Sequence, residues 1–217
     1  MKHKIMALLM TAMCSTHVYA EESSLQLTAG LGHANYEYEG WESFSYQFAD
    51  IGLNYGISDY FITVNAMVPI TDGEATTAGN ALTLQRNQYN VNAGYRITDQ
   101  IAAFAGVNIA NSDIESSTGA NTTIDETGIH FGVAGTIFAS ESGALNAKLA
   151  YSVTSMDISA NSFDGNGFVF GIGWTGFLAD RWSYSLNFDG YNYVYDISGI
   201  DSTSRLFSAK ASLGYMF

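Results

Sequence analysis

Apolar side chains recur on alternate positions over most of the chain. Segments of about ten residues carry this period-two pattern, which marks strands with one apolar face. Ten such segments are predicted. The first lies near 24–36, with Leu25, Leu27, Ala29 and Leu31 on one face, and the second near 44–57, with Ile51, Leu53 and Tyr55. The third covers 60–70, with Ile62, Val64, Ala66 and Val68, and ends at Pro69, where a missing N–H matters least. Segments near 84–97, 100–110 and 127–139 follow, led by Val91, Val107 and Ile129. Phe104 blurs the fifth, because it lies on the opposite face. The last four are near 144–156, 167–177, 181–195 and the closing stretch through Phe217.

The connections alternate in length. "GISD" (56–59), "TDQ" (98–100), "SESG" (140–143) and "LADR" (178–181) are short. "EYEGWES" (37–43), "TDGEATTAGNAL" (71–82), "NSDIESSTGANTTIDET" (111–127), "DISANSFDGNG" (157–167) and "ISGIDSTS" (197–204) are long and polar, and read as solvated loops.

The second face of the strands is polar: Asn90, Asn92 and Arg96; Asn146 and Lys148; Asn187 and Asp189; Lys210 and Ser212. An apolar exterior around a polar interior fits a sheet bathed in lipid. Such a sheet must close, since unpaired edges cannot be satisfied in hydrocarbon. The predicted fold is all-β, a closed antiparallel transmembrane β-barrel with short periplasmic turns and long extracellular loops. Ten strands fit the count, with eight as the alternative and a secreted β-sandwich as the competing fold. Aromatic residues make up 14% of the chain. Tyr55, Tyr60, Tyr95, Trp182, Tyr184, Tyr215 and Phe217 are assigned to an interfacial girdle at the short-turn rim, and Tyr36, Tyr38, Trp41, Phe44 and Tyr46 to one at the loop rim.

The start of the chain changes the compartment. Lys2 and Lys4 precede an apolar run, Ile5 to Met13, and Val18 and Ala20 occupy the positions a signal peptidase reads. Residues 1–20 are therefore expected to be a cleaved signal peptide, leaving the barrel as 21–217. Cys14, the only cysteine, would leave with it, so neither a disulfide framework nor a thiolate site is expected. Without Lys2 and Lys4, six basic side chains face 21 acidic ones. Nucleic acid is an improbable partner for so acidic a chain.

The end of the chain, "SAKASLGYMF", alternates apolar residues up to Phe217. It resembles the C-terminal strand of Gram-negative outer-membrane proteins. "GLNYGISDYFITV" (52–64) and "NAGYRITDQIAAFAGV" (92–107) have the strand, aromatic, tight turn, strand order of the small OmpA/OmpX-like barrels. The resemblance covers the mature chain in pattern only, and ten strands would depart from that family. It implies an integral outer-membrane location among lipid and lipopolysaccharide. It also implies that Phe217, Tyr215 and Leu213 form the signal read by the barrel-assembly machinery. Small OmpX-like barrels are associated with adhesion, so a surface ligand for the loops is a further implication.

Chemistry-bearing residues are few. His130 should point inward near the loop end, with Asp125 and Glu126 close in sequence, the makings of a general base. A hydrogen-bonded lumen residue is the plainer account. Omptin-type proteases rely partly on an Asp-His pair, and no Asp-His dipeptide occurs. "NSFDGNG" (161–167) lacks the spacing and closing Glu of a calcium loop. No catalytic residue, metal site or cofactor is assigned. The candidate constellation is a lumen charge network of Arg96, Lys148, Asp189, Lys210 and His130. Paired, these charges plug the barrel; unpaired, they would bias a small pore toward anions. The expected role is structural or surface-interacting and non-enzymatic. A passive pore is the alternative, and an enzyme acting on lipid A or peptide comes after it.

Overall fold

A computed structural model describes residues 23–39, 43–77 and 79–217. The predicted signal peptide and Trp41 lie outside them. The strands are β1 (Ser23–Tyr38), β2 (Phe44–Ile57), β3 (Tyr60–Pro69), β4 (Gly73–Thr77), β5 (Asn80–Arg96), β6 (Ile101–Ser116), β7 (Asn121–Ser140), β8 (Gly143–Ile158), β9 (Asn161–Ala179), β10 (Trp182–Ile197) and β11 (Ile200–Met216). All pairings are antiparallel between neighbours, and β1 pairs with both β2 and β11, so the sheet closes.

Ten strands go round the barrel, because β4 occupies the place of β3 further up the wall. Ser45 of β2 pairs with Glu74, and Gly73 to Thr77 pair with Leu84 to Asn80 of β5. The cause of the break is Pro69, which has no N–H to give the ladder. Past it, the amides of Ile70 and Thr71 both donate to the Gln47 carbonyl, at 2.8 and 3.3 Å, and the Gln47 amide donates to Thr71 Oγ1 at 2.9 Å. That is a bulge, and the strand resumes two residues later.

Ten strands and antiparallel closure agree with the expectation from sequence. The polar "loops" do not. Residues 71–82, 111–127, 157–167 and 197–204 are largely strand, so these connections are hairpins that extend the barrel wall. Their turns are tight. Gly119 and Gly199 have φ of 85° and 84°, a region a Cβ disfavours.

Side chains alternate in and out along the strands, with a bulge near the short-turn end of β7 that leaves Ile137 and Phe138 both exposed, and the identity of the apolar face changes partway up. On β1 the outward residues Leu27, Ala29 and Leu31 give way to His33, Asn35 and Glu37, while the inward set runs from Gln26 and Thr28 to Ala34, Tyr36 and Tyr38. On β2 the outward order from the short-turn end is Leu53, Ile51, Ala49, Gln47, Ser45, and the inward order is Asn54, Asp50, Phe48, Tyr46, Phe44. β6 passes from Val107 and Ile109 outward to Asn111, Asp113 and Glu115, and β10 from Leu186 and Phe188 to Asn192 and Asp196. The lower half therefore wears an apolar belt, with Leu31, Ile51, Ile129 and Phe188 each about 60% exposed or more. The upper half is polar outside.

The hydrophobic core sits inside that upper half. Tyr36, Phe44, Met67, Leu84, Ile114, Ile124, Met156, Val169, Tyr195 and Leu206 are buried in one cluster, one from each of the ten wall strands. This corrects the loop-rim girdle: Tyr36, Tyr38, Phe44 and Tyr46 point inward and are at most 6% exposed. Burying them saves about 25 cal/mol per Å² of apolar surface, which an outward position in water would forfeit.

Candidate functional site: a plugged lumen

The lumen has two storeys. In the upper one, Arg86 of β5 and Glu126 of β7 meet inside the aromatic core, Nη2 to Oε2 at 2.5 Å, with both side chains almost wholly buried. Glu126 Oε1 accepts from the Tyr195 hydroxyl at 3.0 Å and from Ser204 at 3.3 Å. Arg86 donates to Ser112 Oγ at 2.7 Å, and its guanidinium carbon lies 4.5 Å from the centre of the Tyr36 ring. A charge pair without water needs this many partners to offset its lost hydration. Burial, aided by the Glu126 carboxylate, raises the Tyr36 phenol well above its ordinary range, and burial pushes Tyr46 up to about 12.

Below the plug lies a cavity of about 190 Å³. Its walls run from Gln26 and Ser183, beside the short turns, to Tyr191 and Leu206, beneath the core. Lys148 Nζ is 2.7 Å from Asp189 Oδ1, and Lys210 Nζ is 3.0 Å from Asp50 Oδ2. Asn65 donates to the same Asp50 oxygen at 2.7 Å. Gly171 makes room for the first pair: a Cβ there would stand 2.6 Å from Asp189 Oδ1 and 2.7 Å from Lys148 Cε.

The predicted network is thus divided. Lys148, Asp189 and Lys210 share the cavity wall, and Asp50 is the fourth charge there, a member the sequence reading lacked. His130 also lines the cavity, hydrogen-bonded through Nε2 to Asn92 Oδ1 at 2.6 Å and edge-on to Phe104 at 5.9 Å. Arg96 is buried at the short-turn end and is not among the cavity-lining residues. The carboxylates near His130 in sequence do not meet it. Asp125 faces outward and accepts from Asn111 at 2.6 Å. Glu126 faces inward but stands four residues up the strand, roughly 13 Å away at the rise of an extended chain.

A family model described as the outer membrane protein beta-barrel domain matches residues 6–217. The chain belongs to that family. It is an integral outer-membrane protein, with the hairpin end outside the cell and the short turns in the periplasm. No curated protein matches the chain. Among solved structures it is similar to the outer membrane protease OmpT from Escherichia coli, at 10% identity and a TM-score of 0.57, over 91% of this chain and 97% of that one. It is also similar to the translocator domain of the autotransporter NalP from Neisseria meningitidis, at 12% identity and a TM-score of 0.53, over 88% of each chain. At such identities the likeness is one of fold.

In the outer-membrane frame the last strand closes the barrel. Leu213 and Phe217 are exposed on the lipid side, and Tyr215 stacks edge-on against Trp182 at 5.0 Å and Phe217 at 5.1 Å. The Phe217 amide donates to the Leu25 carbonyl at 3.0 Å, holding the end of the chain to β1. Sequence reasoning also left Arg86 and Glu126 out of the charge network, naming Glu126 only as a sequence neighbour of His130. Their signal was present: both lie on the inward parity of their strands, at the height where the outward residues become polar.

Proposed function

We propose that this outer-membrane barrel is a closed, non-enzymatic surface protein. It is anchored by its lower half and acts through the exterior of its extracellular half. The observation that carries the reading is the plug. Among the described residues, side chains from all ten wall strands fill the upper lumen around Arg86 and Glu126, which supports a lumen closed toward the outside. The charges below are paired, which argues against an ion-selective channel. His130 has its Nε2 engaged by Asn92 and, among the described residues, is paired with no carboxylate, which argues against its use as a general base. The extracellular exterior offers Glu37, Asp113, Glu115, Asp125, Asp157 and Asp196 against Arg205, so a surface partner would meet an acidic wall. Phe217, Tyr215 and Leu213 serve as the strand presented to the assembly machinery. The apolar belt contacts membrane lipid, with lipopolysaccharide above it.

Single-channel recording of the refolded protein in a planar bilayer tests this. Silence is expected from protein shown to be folded, and discrete steps from a variant with Tyr195 and Tyr36 both changed to Ala. Stable conductance by the unaltered protein, changed in selectivity by Lys148→Gln, would overturn the closed reading and make the protein a passive pore.

A further inference from the structure

The cavity beneath the plug has a chemistry of its own. Its four charged groups, Asp50, Lys148, Asp189 and Lys210, are two of each sign and matched at 2.7 and 3.0 Å. An anion would have to displace a carboxylate from each lysine, and a cation an ammonium from each aspartate. The wall mixes amides such as Asn90, Asn92 and Asn187 with Phe61, Met67 and Phe104, so a wholly apolar guest would strip water from the amides without replacing their hydrogen bonds. Charge and apolarity are both disfavoured in an occupant.

The neutral groups are held in fixed orientations. Asn108 donates to Asn90 Oδ1 at 2.7 Å, leaving the Asn90 amide hydrogens over. Asn92 donates to Thr63 Oγ1 at 3.1 Å, so its Oδ1 is the atom facing His130 Nε2, which must then carry the proton. His130 Nδ1 is left as an acceptor with no partner among the described residues, on a side chain only 4% exposed. Asn187 spends its amide nitrogen on Ser185 at 3.0 Å and keeps its oxygen. Donors and acceptors therefore line one space, together with the rings of Phe104 and Tyr191. A hydroxyl is a neutral group that gives and takes at a single atom. Water can satisfy these groups singly. A polyhydroxyl molecule satisfies several together while its C–H faces lie against the rings.

We infer that the sub-plug cavity is a binding pocket for a small neutral polyhydroxyl molecule of monosaccharide size, entered from the periplasmic side. The direction of entry rests on the closed upper storey described above; the pocket chemistry does not.

The test uses the full barrel refolded in a detergent without a sugar head group, with folding checked by circular dichroism. D-Glucose and D-sorbitol are titrated by calorimetry and by saturation-transfer NMR, beside citrate and putrescine. Saturable binding of a neutral polyol, without binding of either charged probe, is expected. Asn90→Leu combined with Asn187→Leu should weaken it tenfold or more, and if that pair does not refold, Asn187→Ala alone should weaken it threefold. Absence of saturable polyol binding by folded protein overturns the inference, as does binding that ignores these substitutions or favours a charged probe. Conductance of the same preparation separates the two readings. A conducting protein that binds polyol loses only the closed-barrel function, and a silent protein that binds none loses only the pocket.

Discussion

The two halves of this barrel are built on the same ten strands and have opposite polarity. Below, Ile129, Phe131 and Leu186 face out and Lys148, Asp189 and Asn187 face in. Above, Asp125, Asn192 and Asp196 face out and Ile124, Tyr193 and Tyr195 face in. The backbone parity never slips between the two; only the side chains exchange character. What differs is the medium outside. Lipid cannot hydrate a polar exterior, so the lower half keeps its polar groups for a wet lumen. Water repays an apolar interior, so the upper half folds like a soluble core. The boundary is the height at which His33, Gln47, Asn87 and Asn111 replace the apolar outward row.

The comparison is most severely tested at the two kinds of ion pair. Glu126→Ala leaves Arg86 charged in an almost waterless core and should cost about 3–5 kcal/mol. Asp189→Ala faces a lysine that keeps 27% of its surface accessible in the cavity and should cost well under half as much. Urea unfolding in lipid vesicles reads both. Equal losses would mean that the upper storey is as wet as the lower. Replacing the upper pair by Met and Leu together should come close to neutral, because no orphan charge remains.

Next comes the outer wall. Phe131→Lys places a charge in the apolar belt and should cost about 2–4 kcal/mol. Thr123→Lys, on the same strand and the same parity, stands in water and should shift stability by less than about 0.5 kcal/mol. If the two cost the same, the boundary between the halves is misplaced.

Alkali separates the storeys by another route. Burial favours the neutral phenol of Tyr46, whose value rises from 10.0 to about 12, and it moves Tyr36, Tyr193 and Tyr195 in the same direction. For a folded-state value above the unfolded one, the stabilisation is complete below pH 10.0 and is lost as pH climbs toward 12. The upper core should loosen across that window, with faster amide exchange at Tyr36 and Phe44 than at Val107 and Phe131. Tyr46→Phe removes this titration and should move the onset upward.

The sequence made the barrel legible because the lipid belt writes the clearest period-two signal, from Leu27 to Leu213. The inward face of Lys148 and Asp189 was legible by parity, whereas their pairing with each other comes from the structure. The upper half was harder to read for a physical reason. Asn, Asp, Ser and Thr on an outward strand face look like loop residues when counted without regard to parity. Tyr36, Phe44 and Tyr46 look like interfacial aromatics for the same reason. Taken by parity, "HANYEY" (33–38) already shows Ala34, Tyr36 and Tyr38 on the face opposite Leu31. Asp50 was hidden by its apolar neighbours Ala49 and Ile51, which belong to the other face.

The smallest effect sharpens the comparison most cheaply. Arg205 and Glu37 face each other across β11 and β1 on the extracellular exterior, 3.5 Å apart and each nearly half exposed. The pair has the same chemistry as Arg86 with Glu126, and its environment is the reverse. Water screens the attraction and hydrates either partner left alone, so Arg205→Ala should cost between zero and about 1 kcal/mol. That loss should shrink further in high salt, whereas the Glu126→Ala loss should barely respond to salt. A salt-insensitive loss of several kcal/mol at Arg205 would mean that the extracellular wall is covered by something other than water, and the acidic exterior would then be a contact surface in the resting protein.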